Sequence, residues 1–257
     1  MTALPVHNAT EKRAMWALLG LVCLALAQPK ALGGAVACPV APGLAAMEHP
    51  ELLPLFAPEG TETRQFSSYD PSGSNNDGNF KTAYTKYIDA NGEYVIFDAS
   101  GPGCLYRQQI NVWSRGRQKQ AGKAHIRYYF DDEPKPRLDL AIDDLFGGKV
   151  APFTDPFVFL DPLPRFGILY YPFPFKQRLK ITTTDDLTRL ADPYTASWYQ
   201  YTYLTYADGR HVTTWAGPQE DSPLVRSQWT HLGLDPKPAD GNVTLSNTVS
   251  IPKGKSA

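Results

Sequence analysis

The run Ser67-Ser68-Tyr69-Asp70-Pro71-Ser72-Gly73-Ser74-Asn75-Asn76-Asp77-Gly78-Asn79-Phe80 is dense in side-chain oxygens. Asp70, Ser72, Ser74 and Asn76 alternate along it, a spacing that invites a calcium loop. An EF-hand loop needs glycine at its sixth position and a bidentate glutamate at its twelfth. Counted from Asp70, those positions hold Asn75 and Lys81, so the pattern is not an EF-hand. Two readings remain open. The run is a polar surface turn, or its Asp and Asn side chains bind the hydroxyls of a sugar. Arg107 follows Gly101-Pro102-Gly103 within a strand-like segment, between Tyr106 and Gln108. It either pairs with a carboxylate in a site or covers a sheet edge. Trp113, Trp198, Tyr199, Tyr201 and Tyr203 could stack on sugar rings, but on alternating strands half of such residues ordinarily face the core.

Other chemistry is excluded by spacing. Asp131/Asp132/Glu133, Asp143/Asp144 and Asp185/Asp186 are adjacent acids. Neighbours on a strand face opposite sides, so adjacency is not the paired geometry of a glycosidase; these read as turns and helix caps. His49, His125 and His211 have no metal-ligand spacing. The sequence holds no Gly-x-Ser-x-Gly elbow and no phosphate loop. No cofactor is expected. Lys+Arg 25 against Asp+Glu 26 gives a net charge of -1, without the basic excess that a nucleic-acid partner requires.

Strands must position whatever site exists. Gly 20 and Pro 23, with Tyr 14 and Phe 12, favour strands and turns over long helices. Residues 81–88 read as a strand, Ala90-Asn91-Gly92 as a hairpin turn, and Tyr94 to Phe97 as the returning strand. Further strands are expected at 104–113, 125–130, 137–142, 168–173, 179–184 and 198–206. Asp143 to Phe146 reads as a helical turn, and 221–232 as a short helix. Short strands at regular spacing mean an all-β antiparallel sandwich, and a jelly roll within that class.

Residues 1–27 have the form of a secretory signal. Glu11, Lys12 and Arg13 precede an uncharged apolar run from Ala14 to Ala27, too short to span a bilayer comfortably. Ala25-Leu26-Ala27 and Ala35-Val36-Ala37 are the cleavage candidates. The latter, before Cys38, also admits a lipid anchor on that cysteine. The expected location is secreted or periplasmic, where Cys38 and Cys104 would be allowed to pair. Residues 28–60 read as linker and short helix, 61–232 as the jelly-roll domain, and 233–257 as a further linker.

Five segments in order resemble one family. They are Ser67 to Asp70 with Asn76 to Phe80; Ala99 to Arg107; Ile126 to Asp131 with Pro136 and Leu138 to Phe146; Tyr170 to Lys176 with Leu179 to Ile181; and Trp198 to Tyr201. The family is glycoside hydrolase family 172. The resemblance implies a double jelly roll, homo-oligomers, and retaining cleavage or transfer of α-D-fructofuranosides and α-D-arabinofuranosides. It implies two catalytic glutamates in the second roll, in Trp-Trp-Gly-Glu-Gly-Asp and Gly-Thr-Glu-Asp-Tyr blocks. Neither block occurs here: Glu11, Glu48, Glu51, Glu59, Glu62, Glu93, Glu133 and Glu220 all lie in other contexts. Ile251 to Ala257 resembles the start of the second roll, so the chain is expected to hold only the first. Asp70, Asn76, Asp77 and Arg107 carry over as residues lining a carbohydrate site. No catalytic residue or metal ligand carries over. The expectation is an enzyme half that lacks its glutamates, or else a non-catalytic carbohydrate-binding or assembly module.

Overall fold

The computed structural model describes residues 41–53, 57–73, 85–111, 123–161, 166–187, 198–231, 233–235, 243 and 246–254. The expected signal segment, Cys38, Asn76, Asp77 and Trp113 lie outside these residues.

Two antiparallel sheets form a sandwich. The first has the order β1 (Glu62–Ser67), β11 (Trp198–Thr205), β4 (Gly103–Asn111), β8 (Gly167–Leu169), β7 (Val158–Leu160), with β9 (Phe173–Phe175) also paired to β4. The second has the order β2 (Tyr87–Ile88), β3 (Tyr94–Ser100), β10 (Arg178–Thr183), β5 (His125–Phe130), β6 (Leu138–Ala141). Helices are short: α1 (Leu44–Met47), a 3-10 turn at Pro50–Leu52, α2 (Ile142–Leu145) and α3 (Pro223–Thr230). Ser222 caps α3, its hydroxyl accepting from Val225 N at 3.1 Å, with Pro223 in the first turn. The fold class is therefore the all-β sandwich that the strand spacing and turn residues imply.

Alternation builds the core. Ile126, Tyr128 and Phe130 of β5 point inward, while His125, Arg127 and Tyr129 point out. On β10, Leu179 and Ile181 are core residues and Arg178 and Lys180 face outward. Phe173 sits among aromatic rings, 5.0 Å from Tyr128, 5.1 Å from Trp215 and 5.3 Å from Tyr171 between centroids. Such offset and edge contacts each contribute about 0.5–1.5 kcal/mol beyond area burial.

The chain changes sheets between β3 and β4, through Gly101-Pro102-Gly103. A Cβ on Gly103 would lie 2.5 Å from the Phe175 ring and 2.7 Å from the Leu204 carbonyl oxygen. Only glycine fits that crossing, so β4 enters its sheet flush against β9 and β11.

The expected strand at 168–173 is two strands. Pro172 separates β8 from β9, and the two pair with different stretches of β4.

Candidate functional site

The sandwich has two outer faces, and both are polar. The outer face of the β2-β3-β10-β5-β6 sheet is an interlocked array of charges. Glu93 is buried and accepts three bonds: from Arg127 Nη1 at Oε1, and from Tyr129 Oη (2.8 Å) and Thr182 Oγ1 (2.5 Å) at Oε2. Arg127 also donates to Asp139 Oδ2 at 2.9 Å, and His125 Nδ1 lies 2.5 Å from Asp139 Oδ1. Asp89 accepts from Lys180 Nζ at 2.7 Å and from the backbone N–H groups of Asn91 and Glu93. Lys180 lies 4.5 Å from the centroid of the Tyr129 ring. Arg178 grips Asp98 through Nε (2.8 Å) and Nη2 (3.0 Å), and donates Nη1 to Asp132 at 2.7 Å.

Electrostatics follow from these contacts. Burial opposes ionisation of Asp98, yet the bonds from Arg178 and Tyr87 prevail and hold its carboxyl below the usual range. Asp89 behaves likewise: burial opposes its charge, but Lys180 and two backbone amides outweigh it. Burial, and then the Glu93 carboxylate, push the Tyr129 phenol up to about 12. A small pocket of about 120 Å³ opens between Tyr129, Asp132, Glu133, Arg178 and Lys180. Its Arg178, Lys180 and Glu133 already bond to protein partners.

The outer face of the other sheet differs. Inward-facing Gln108 alternates with outward-facing Arg107 and Gln109 on β4. The register sets Gln65 opposite Thr202 and Thr202 opposite Arg107. One row further along lie Ser67, Gln200, Gln109, Ile168 and Phe159. Trp198, 39% exposed, pairs with Asn111 at the end of that face. Arg107 donates Nη2 to Gln109 Oε1. This face therefore presents amides, hydroxyls, one guanidinium and exposed aromatic rings.

Arg107 sits mid-strand in this sheet, whereas Asp70 lies outside it, in the turn that follows β1. Asp70 Oδ1 accepts from Ser72 N (2.9 Å) and Ser72 Oγ (2.7 Å), an Asx turn. The Tyr199 and Tyr201 rings are buried in the core, whereas Trp198 is on the outer face. Gln65, Gln109 and Gln200 were not singled out by sequence. Their signal was two-residue periodicity, with Gln200 between the core residues Tyr199 and Tyr201.

Among the described residues Cys104 is a fully buried free thiol, and burial raises its pKa; its expected partner Cys38 lies outside them. A groove of about 310 Å³ runs between the α1 segment and the strand ends, bordered by Ala46, Leu52, Tyr106, Leu204, Tyr206 and Val212.

This two-sheet antiparallel architecture defines an all-β sandwich domain. A family model described as GH172 first beta-sandwich domain matches residues 59–222. The chain belongs to glycoside hydrolase family 172. No curated protein matches it.

Proposed function

We infer that this sandwich is an exported module that recognises furanoside-containing carbohydrate, and that turnover requires the family's two glutamate blocks, which this sequence does not contain. The observation that carries the reading is family membership over 59–222 combined with the Arg107 face. Sugar hydroxyls both donate and accept, so they match amides and a guanidinium, and an exposed indole offers a stacking surface. Asp70, Asn76, Asp77 and Arg107 are the proposed sugar-contacting residues.

Four of the described glutamates are engaged by protein groups. Glu93 is held by Arg127, Tyr129 and Thr182, and Glu133 by Arg137. Glu62 is held by Arg64, and Glu48 accepts from Ser222. Retaining hydrolysis needs two carboxyls about 5–5.5 Å apart across the scissile bond, with room for a sugar ring.

Titration with an α-D-arabinofuranosyl oligosaccharide tests the reading. Arg107→Ala and Asp70→Ala are expected to weaken binding about tenfold, the loss of one charge-assisted hydrogen bond. Unchanged binding in both folded variants would remove the site.

A second reading, a homo-oligomeric assembly module, is favoured by Phe159 and Leu160. These are 49% and 37% exposed on the edge strand β7. Light scattering tests it: a monomer at all concentrations would set it aside.

A further inference from the structure

The centre of the sandwich contains polar atoms that no described residue satisfies. Gln108 on β4 and Tyr201 on β11 are directly opposite each other and both point into the core. Both are 0% exposed, as is Tyr128 on the facing sheet. Tyr128 Oη donates to Gln108 Oε1 at 2.6 Å. Gln108 Nε2 and Tyr201 Oη have no partner among the described residues. Turning the Gln108 amide over does not help: its oxygen and nitrogen exchange places, and one polar group still faces away from Tyr128. A buried polar group left unbonded opposes folding, and here two lie at the middle of an otherwise apolar core.

We propose that these three side chains form an internal hydration site that holds a single ordered water between the two sheets. The water accepts from Gln108 Nε2 and Tyr201 Oη. It donates to the lone pair that Tyr128 Oη keeps after giving its own hydrogen to Gln108. Three bonds are typical of buried water. The rings of Phe97 and Tyr199 flank Tyr201 and that of Phe173 flanks Tyr128, so the described surroundings of the triad are apolar and favour a neutral ligand. Burial pushes the Tyr201 phenol well above its ordinary value, with the Tyr128 and Tyr199 hydroxyls adding to the shift, so it remains an uncharged donor. The site also bears on the outer face. Gln108 lies between Arg107 and Gln109, so fixing its amide fixes the pleat that turns those two residues outward.

Two measurements test this on the full chain. A high-resolution crystal structure is expected to show an isolated density peak about 2.7–3.0 Å from both Gln108 Nε2 and Tyr201 Oη. Tyr201→Phe and Gln108→Leu are each expected to lower the melting temperature by about 2–4 °C or more. Because both groups hold one water, the double variant should lose less than the sum of the two. The proposal is overturned if the map shows Gln108 and Tyr201 bonded directly to each other with no peak. Strictly additive losses would overturn it equally. Should Gln108→Leu fail to fold, the wild-type map still decides, and Tyr201→Phe should show the peak displaced or missing a contact.

Discussion

The two outer faces of the sandwich are built on the same strand geometry but are finished differently. On the β3-β10-β5 side, acids and bases from strands far apart in sequence meet in pairs. Thr182 and Glu93 are separated by 89 residues, and Arg178 and Asp98 by 80. Glu93 and Asp89 accept three hydrogen bonds each. A face so occupied by its own contacts stabilises the sheet and offers a ligand little. On the β11-β4 side, Gln65, Gln200 and Gln109 stand in adjacent strands beside Arg107 and Trp198. Among the described residues, Gln65 and Gln200 make no side-chain hydrogen bond and Gln109 uses only its oxygen, so these amides keep donors and acceptors for a partner. The lesson is that polarity alone does not mark a site. Residual bonding capacity does.

Substitutions can separate the two faces. The largest effect should come from Glu93→Ala, which leaves Arg127, Tyr129 and Thr182 without their shared acceptor. Breaking a buried pair costs about 3–5 kcal/mol, and the partial exposure of Arg127 reduces this to about 2–3 kcal/mol. Urea denaturation should show that loss, with sugar affinity unchanged in the folded fraction. Next is Arg107→Ala. It should weaken furanoside binding about tenfold while changing stability by less than about 1 kcal/mol. The reverse pattern in these two variants would exchange the roles of the faces.

Acid should weaken the charged side of the sandwich. Asp89, Asp98 and Asp131 have folded pKa values below their unfolded ones. For Asp131, burial opposes the charge, but bonds from Thr214 and the Gln177 and Arg178 amides outweigh it. Depressed carboxyls contribute stability that is present above the unfolded value. It is lost as pH falls through the folded one, so the melting temperature should drop below about pH 4. A smaller effect is expected for Gln200→Ala, about threefold in affinity, because a neutral hydrogen bond contributes about 1 kcal/mol or less.

Much of the fold was legible because its signals are local. His125 to Phe130 is aromatic and β-branched in character and forms β5 at the expected limits. Asn91-Gly92 makes the expected hairpin, with Gly92 at φ 78° and its N–H bonded to Asp89 O at 2.9 Å. The strand β1 gave no signal: Glu62 to Gln65 are all exposed on an edge, where no burial imposes alternation. β7 has only three residues. The site was half legible. Arg107 could be read as a strand arginine, but its face was decided by the bulge between Thr202 and Tyr203, which shifts the pairing beside Tyr106. The array around Glu93 had no local pattern, because its members converge only when the sheet pairs.

The most direct test of the account is isothermal titration with an α-D-arabinofuranosyl oligosaccharide, with product release followed in the same cell. The account predicts saturable binding without turnover, weakened in Arg107→Ala. Hydrolysis by this chain, or binding indifferent to Arg107 but lost in a folded variant of the Tyr129-Asp132-Lys180 pocket, would contradict it.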